Sequence, residues 1–146
     1  FNSKNMTNFI EWKDEYLLGI HEIDTQHKRI FELINNFYRA VEQSKENETL
    51  SLSIFLGELV SYAGFHFSVE EEHFEEFNCE VKEAHIKKHN IYREKVSQFL
   101  EKKEKNENET RALSFEVLAF IKEWWMSHIV GVDRGYVDCF HEHRLF

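Results

Sequence analysis

The 146-residue chain contains no proline and only five glycines. Because these two residues interrupt helices more strongly than any others, their scarcity favours an all-α fold. Two cysteines, Cys79 and Cys139, are too few for a disulfide-built scaffold, so we expect reduced thiols and a cytoplasmic setting, with a disulfide between them as the alternative. No apolar run approaches the roughly 20 residues that a membrane span requires, and no signal-peptide pattern opens the chain.

Basic residues are also scarce relative to acidic ones, and the formal net charge is −9. An acidic protein repels phosphate groups, which argues against nucleic acid and anionic membranes as partners. The length predicts a single domain over residues 1–146. The first residue is Phe rather than Met, and we expect residues 1–8 to be a cloning remnant or a linker.

Helical periodicity is present in four segments, in which apolar residues recur three and four positions apart. This pattern predicts an up-down-up-down antiparallel four-helix bundle with an irregular N-terminal arm, anchored by Trp12, and a short C-terminal helix after Asp133. The predicted helices cover residues 23–43, 50–76, 81–104 and 111–130, and the polar breaks between them cover residues 44–49, 77–80 and 105–110. The predicted core stripe of the fourth helix is Leu113, Val117, Phe120, Trp124 and His128.

Nine histidines are many for a chain of this length. Five of them lie on the predicted core stripes, and the connectivity brings these five to one end of the bundle: His27, His66, His85, His89 and His128. A buried polar group without a partner costs about 1–3 kcal/mol, and a metal ion satisfies several imidazoles together. Two of the pairs, His66 with Glu70 and His85 with His89, have the four-residue spacing that places both side chains on one helix face.

Ligand type alone does not identify the metal, because imidazole suits iron, zinc and copper. Five imidazoles are nevertheless too many for one tetrahedral zinc ion. Glu70 follows His66 by one turn, and Asp133 follows His128 by five residues, after Gly131 is expected to let the helix end. With these two carboxylates as bridges, the seven side chains make a reasonable ligand set for two metal ions.

Four motifs carry a resemblance to a known family: "GIHEIDTQHKRIF", "HFSVEEEHF", "HIKKH" and "HIVGVD". In this order, and over roughly residues 9–140, the chain resembles hemerythrin-like proteins of the bacterial type. The resemblance implies a non-haem di-iron centre with an oxo or hydroxo bridge. It assigns His85, His89 and His128 to one iron, His27 and His66 to the other, and Glu70 and Asp133 to both. The iron with two histidines would keep an open position for dioxygen.

The implied function is reversible dioxygen binding without turnover, for storage, delivery or sensing, with a partner protein or signalling domain if the sequence is part of a longer chain. The alternative is a di-iron oxidase or peroxidase, or an iron-storage protein. Ferritin-like di-iron proteins place Glu-x-x-His on two helices and a Glu on each of two others. Glu70-x-x-His73 is the only such motif in this sequence, so we expect a binding protein rather than an enzyme.

Three further residues of the second motif are expected not to bind metal. Helical rotation turns Glu71 and Glu72 toward solvent, and replacing Glu71 is expected to change little. His73 faces inward, but it lies about one turn beyond the predicted bridge. We therefore expect it to pair with an acidic side chain or water near the mouth of the site.

Overall fold

The computed structural model describes residues 8–44, 49–105 and 110–146. Within these ranges the chain forms four long helices and one short C-terminal helix, without a strand. They are α1 (His21–Gln43), α2 (Thr49–Phe77), α3 (Lys82–Lys105), α4 (Thr110–Ser127) and α5 (Val137–Glu142). The predicted all-α class and four-helix bundle are confirmed. Residues 45–48 and 106–109, which make up most of two predicted breaks, lie outside the described residues, as do residues 1–7.

Each long helix buries one apolar stripe against its neighbours: α1 packs on α2 and α4, and α3 packs on the same two helices. The histidines predicted to lie on the core stripes of α1 and α3 are buried, namely His27, His85 and His89. The stripe predicted for α4 was right at Val117 and His128, which are buried. It was wrong at Leu113, Phe120 and Trp124, which are only half-buried, whereas Trp125 is fully buried. Leu118 and Ile121 complete the buried face with Trp125. The two adjacent series have the same spacing and are equally apolar, so periodicity alone does not separate them.

The start of α1 is held by a carboxylate inside its own first turns. Asp24 accepts the backbone N–H groups of Leu18, Gly19 and Ile20 at 2.8, 3.1 and 3.3 Å. Gly19 has φ +80°, a left-handed conformation in which a residue with a side chain would be strained. The arm is thereby turned into α1 at a fixed point, about two turns before His27.

A tight turn joins the end of α2 to the start of α3. Asn78 adopts the left-handed φ of 50° that commonly ends a helix, and the Cys79 N–H donates to the Phe74 carbonyl at 3.2 Å. The Lys82 N–H then donates to the Cys79 carbonyl at 3.2 Å, where α3 begins. Because this turn is short, the last turns of α2 lie beside the first turns of α3.

The chain does not leave the helix at Gly131, so that prediction was wrong. A π-helical turn, His128–Val132, follows α4, and a 3-10 turn, Asp133–Tyr136, leads into α5. The Asp133 N–H donates to the His128 carbonyl. In an α-helix a residue five positions on is rotated by about 140°, whereas the wider π-helical turn brings it back under the first residue. His128 and Asp133 therefore face the same space.

Among the described residues, the interior contains two apolar clusters with a polar layer between them. On α2, Glu70 lies between Phe67 of the larger cluster and Phe74 of the smaller one. The same order is found on α1, with Ile30, His27 and Ile23. The polar side chains are therefore covered by apolar groups both above and below.

By length and composition alone, residues 52–77 of α2 are apolar enough to cross a membrane. The core helix of a bundle passes the same test, and this helix carries His66 and Glu70 fully buried within the protein. The expectation that the chain has no membrane partner stays a prediction.

Candidate metal centre

All seven side chains predicted from the sequence meet in the polar layer. Each of the seven is at most 2% exposed. They are His27, His66, Glu70, His85, His89, His128 and Asp133. Four different parts of the chain supply them, namely α1, α2, α3 and the segment after α4. The layer is therefore a product of the assembled bundle rather than of any one helix.

The possible ligand atoms fall into two groups, within each of which all atoms lie within 4.8 Å of one another. We call the first group the three-histidine side: His85, His89, His128 and Glu70. We call the second group the two-histidine side: His27, His66, Glu70 and Asp133. Glu70 belongs to both groups, as expected of a bridging carboxylate.

Asp133 also contacts both sides. Its Oδ2 lies 3.0 Å from His27 Nε2, while its Oδ1 lies 3.1 Å from His85 Nε2 and 3.0 Å from His128 Nε2. Each oxygen thus faces a different group of histidines. This is the arrangement of a carboxylate that spans two cations.

Glu70 occupies the opposite edge of the same space. Its Oε1 lies 3.1 Å from His66 Nε2 and 3.2 Å from His89 Nε2, and its Oε2 lies 3.9 Å from His85 Nε2. All four oxygens of Glu70 and Asp133, together with His89 Nε2, are buried without a well-formed hydrogen bond. Since each such buried group costs about 1–3 kcal/mol, the layer fits a cationic occupant.

The facing imidazoles support the same conclusion. The Nε2 atoms of His27 and His66 are 3.2 Å apart, and those of His85 and His128 are 3.0 Å apart. In a neutral pair only one of two facing nitrogens can carry a hydrogen. Lone pairs of nitrogen therefore point into a space that carboxylate oxygens also face, which is the donor set of a metal site.

Electrostatics favour the metal-binding forms of Glu70, Asp133 and His66. Burial and the nearby Asp133 both act to raise the pKa of Glu70, but contacts with His66 and His89 outweigh them and leave that pKa below its usual range. Burial also acts to raise the pKa of Asp133, and the neighbouring His128 overrides it to hold the pKa well below the ordinary value. Burial lowers the pKa of His66. Ionised carboxylates and a neutral imidazole are the forms that bind metals.

A family model described as the hemerythrin HHE cation binding domain matches residues 18–139. The chain belongs to the hemerythrin family. A bacteriohemerythrin of Pseudomonas aeruginosa is 35% identical over 127 residues, which cover 87% of this chain and 78% of that protein. A bacteriohemerythrin of Clostridium acetobutylicum is 32% identical over 131 residues, which cover 87% and 98%.

Solved structures agree on the fold of this family member. A crystal structure of a hemerythrin point mutant superposes with a TM-score of 0.78, covering 91% of this chain and 98% of the other at 21% identity. Among the sequence relatives, a hemerythrin-like protein of Naegleria gruberi is 28% identical over 125 residues, which cover 86% of this chain and 88% of that protein. The predicted resemblance to hemerythrins is confirmed.

Two candidate ligand imidazoles of this hemerythrin-family site are oriented by acceptors that the sequence did not reveal. His66 Nδ1 lies 2.7 Å from Gln26 Oε1, and His89 Nδ1 lies 2.7 Å from Glu71 Oε2. Donation from Nδ1 to these oxygens leaves each Nε2 free to bind metal. Periodicity gives no signal for such neighbours, because they need only reach a ligand from the side.

The expectation that Glu71 is solvated was therefore wrong, whereas Glu72 is exposed as predicted. The Glu71 side chain lies outside the polar layer and contacts α3, where Arg93 Nη2 also donates to its Oε2 at 2.9 Å. Burial acts to raise the pKa of Glu71, and the hydrogen bonds from His89 and Arg93 reverse this and lower it. The result is a charged chain of arginine, carboxylate and ligand histidine.

Tyr136 is a further buried residue that the sequence reading missed. It is fully buried, and its ring lies 5.4 Å from those of Phe74 and His85. Its hydroxyl interacts with Glu70 but makes no well-formed hydrogen bond among the described residues. Burial raises the pKa of Tyr136 well above its usual value, and the charges of Asp133 and Glu70 add to the increase. The hydroxyl therefore stays protonated beside the metal layer and can donate a hydrogen bond there.

The three-histidine side borders solvent more closely than the other. The Trp124 ring stacks on the His128 ring at 4.3 Å between centroids, with 14° between their planes. A groove of about 390 Å³ runs past this pair, and its lining includes Lys88, Ile91, Phe120, Trp124, His128 and Val132. By contrast, His27 and His66 are 0% exposed.

His73 lies outside both groups, beside an acidic residue, as predicted. It is half-buried, with Nε2 3.6 Å from Glu22 Oε1 and Nδ1 4.0 Å from Glu76 Oε2. These distances are too long for strong hydrogen bonds. His73 is thus a peripheral group at the same end of the bundle.

The expectation of two reduced thiols was wrong, because Cys79 and Cys139 form a disulfide with their Cα atoms 6.0 Å apart. Cys79 lies in the turn between α2 and α3, and Cys139 lies on α5, which the π-helical turn directs back over that turn. Disulfides are typical of oxidising compartments. The cysteines therefore no longer support a cytoplasmic setting, which stays a prediction.

Proposed function

We propose that this chain binds dioxygen reversibly at a non-haem di-iron centre and does not turn over a substrate. Membership of the hemerythrin family supports metal-dependent dioxygen binding in general. The single observation that carries the specific proposal is the buried layer of five imidazoles and two carboxylates, whose oxygens face the imidazoles without a well-formed hydrogen bond. Two irons held there would supply the electrons and the open coordination position that dioxygen binding requires.

In this proposal His85, His89 and His128 hold one iron, and His27 and His66 hold the other. Glu70 and Asp133 hold both. The contacts of each carboxylate with histidines of both groups support the bridging roles. The two-histidine side has one imidazole fewer, which leaves room for a small ligand.

The surrounding residues favour binding over turnover. Neutral imidazoles donate less charge than carboxylates, so a histidine-rich ligand set is less suited to cleaving the O–O bond than the glutamate-rich set of ferritin-like enzymes. The apolar clusters above and below the layer exclude water and protons from it. We assign one buried proton donor to the site. This donor is the protonated hydroxyl of Tyr136, beside the two carboxylates.

The test is to load the full chain with iron, reduce it without air and titrate it with dioxygen. We expect about two irons per chain and an absorption band that grows with dioxygen and disappears when the gas is removed, over repeated cycles. The Glu70→Ala variant serves as the negative control. Continuous dioxygen consumption in the presence of a reducing substrate would indicate an oxidase or peroxidase instead. Accumulation of many irons per chain would indicate storage, and one zinc without iron would refute the di-iron centre.

A further inference from the structure

The Cys79–Cys139 disulfide lies in a surface groove of about 420 Å³ at the metal end of the bundle. Cys79 is only 5% exposed, whereas Cys139 is half-buried. A thiol that enters the groove therefore reaches the Cys139 sulfur first. We propose that this groove is a thiol-exchange site, and that the state of its disulfide sets how firmly Asp133 is held in the metal layer.

The charge of the groove indicates which thiols it accepts. Three exposed carboxylates, on Glu80, Asp138 and Glu142, line it, and His143 is the one potentially basic side chain among its lining residues. A negative wall repels anionic thiols and raises the local concentration of cationic ones. The matching reductant is a cationic small thiol, or a dithiol protein whose reactive cysteine is surrounded by basic residues.

The exchange proceeds in two steps that consume two electrons from the thiol reductant. A thiolate attacks Cys139 Sγ, a new S–S bond forms to Cys139, and Cys79 leaves as a thiolate. A second thiol of the reductant then attacks the reductant sulfur of this mixed disulfide and releases Cys139. The reductant ends as a disulfide, and the two cysteine thiolates take protons from solvent.

The position of Cys139 connects this chemistry to the metal layer. The 3-10 turn that begins at Asp133 runs directly into α5, so the bond at Cys139 fixes the far end of one continuous helical segment. Phe140 and Tyr136 of this segment pack on Phe74 at 5.7 and 5.4 Å between ring centroids. Reduction leaves these apolar contacts in place but removes the covalent link to the turn between α2 and α3. Asp133 then leaves the layer more often. This consequence rests on the proposed function, whereas the exchange itself does not.

The first experiment measures reduction of the disulfide in the iron-loaded full chain by three thiols at equal thiolate concentration. Alkylation and mass spectrometry follow the reaction. We expect cationic cysteamine to react about fivefold or more faster than anionic mercaptopropionate at low ionic strength, with neutral mercaptoethanol between them, and high salt to narrow the gap. Asp138→Asn should also reduce the difference between the rates with cysteamine and mercaptopropionate. Glu72→Gln changes an exposed residue outside the groove and should leave that difference unchanged. Equal rates for the three thiols, or no reduction without denaturant, would overturn the proposal.

The second experiment measures iron release to a strong chelator and amide hydrogen exchange over residues 133–140. We expect the reduced protein to release iron about threefold or more faster than the oxidised protein, and its amides in this segment to exchange faster. The double variant Cys79→Ser, Cys139→Ser should match the reduced protein with and without thiol, which separates the disulfide from any direct action of thiol on iron. Identical release and exchange in the oxidised and double-variant proteins would refute the link to Asp133. A chain that binds no iron would overturn the proposed function, and the reduction rates and amide exchange would still decide this proposal.

Discussion

The two sides of the metal layer are built from similar ligands but have different surroundings. His27 and His66, on α1 and α2, are fully enclosed. On the other side, His128 lies under the half-buried Trp124 and beside an open groove. The bundle thus provides one dry side and one side near solvent within a single polar layer. In the proposed function, the dry side is where dioxygen is protected from protons.

The hydrogen bonds that orient the histidines also differ between the enclosed side and the side near solvent. On the enclosed side, the neutral Gln26 accepts from His66, and no charge is introduced. On the side near solvent, the charged pair of Glu71 and Arg93 supports His89. Because burying a charge is unfavourable, a charged residue can support a histidine only where water is close. The contrast suggests that each side is tuned by what surrounds its histidines rather than by the histidines themselves.

The largest expected effect comes from removing the group that the two sides share. Glu70→Ala should reduce the iron content from about two per chain to less than about one, because both ligand groups lose a carboxylate. Metal analysis of the purified protein checks this. Glu72→Ala, exposed on the same helix, should keep full occupancy. Full iron content in the Glu70 variant would show that the sides are independent sites.

A second test compares the two supporting residues directly. Glu71→Ala should weaken metal binding by about tenfold to a hundredfold, since it removes both the orienting acceptor and the charge behind His89. Gln26→Ala removes a neutral acceptor and should cost about tenfold or less. Competition with a chromogenic chelator measures both. Glu71→Gln keeps an acceptor without the charge and should fall between wild type and Glu71→Ala. Equal losses for Glu71→Ala and Gln26→Ala would mean that the charge plays no part.

A third test loosens the segment that leads into the enclosed side. Asp24→Ala leaves the N–H groups of Leu18, Gly19 and Ile20 without their acceptor and should reduce the free energy of unfolding by about 1–2 kcal/mol. Urea denaturation of the metal-loaded protein measures it. Thr25→Ala is exposed on the same turn and should be nearly neutral. A neutral Asp24 variant would show that the arm does not depend on this carboxylate.

The smallest effect is expected outside both groups. His73→Leu should retain both irons and change the free energy of unfolding by less than about 1 kcal/mol, because the contact with Glu22 is long and partly exposed. Glu22→Gln is the matched variant from the other side of this contact. Iron analysis and urea denaturation report both quantities. Iron loss as severe as that of Glu70→Ala would make His73 a ligand.

The candidate ligands were predictable because their spacing and the helix connectivity constrain each other. His85 and His89 lie one turn apart on α3, and only an antiparallel bundle brings them to His27 and His128. The neighbours that orient the ligands were not predictable in this way. Glu71 lies beside the buried stripe of α2 rather than on it, and a flexible side chain can reach a neighbouring helix from such a position.

The remaining errors have separate physical causes. Trp124 and Trp125 belong to two equivalent apolar series on α4. Only the orientation of α4 against its neighbours decides which of the two is buried. Gly131 is a common helix breaker, but here it lies in a π-helical turn, whose wider hydrogen bonding no residue type specifies. The cysteine pairing depends on where α5 returns, which follows from that same turn.

The π-helical turn at His128–Val132 also affects which changes of chain length the protein can absorb. The turn holds one residue more than an α-helical turn, so deleting one residue there would leave ordinary α-helix, with Asp133 four positions after His128 and rotated from it by only about 40°. Asp133 would then still face the layer. Deleting a residue between Asp133 and Cys139 would instead rotate the residues that follow by about 100° and shift them by about 1.5 Å. Phe140 would leave the core and Cys139 would no longer meet Cys79. Changes in residue number are therefore better tolerated within the π-helical turn than in the segment that follows it.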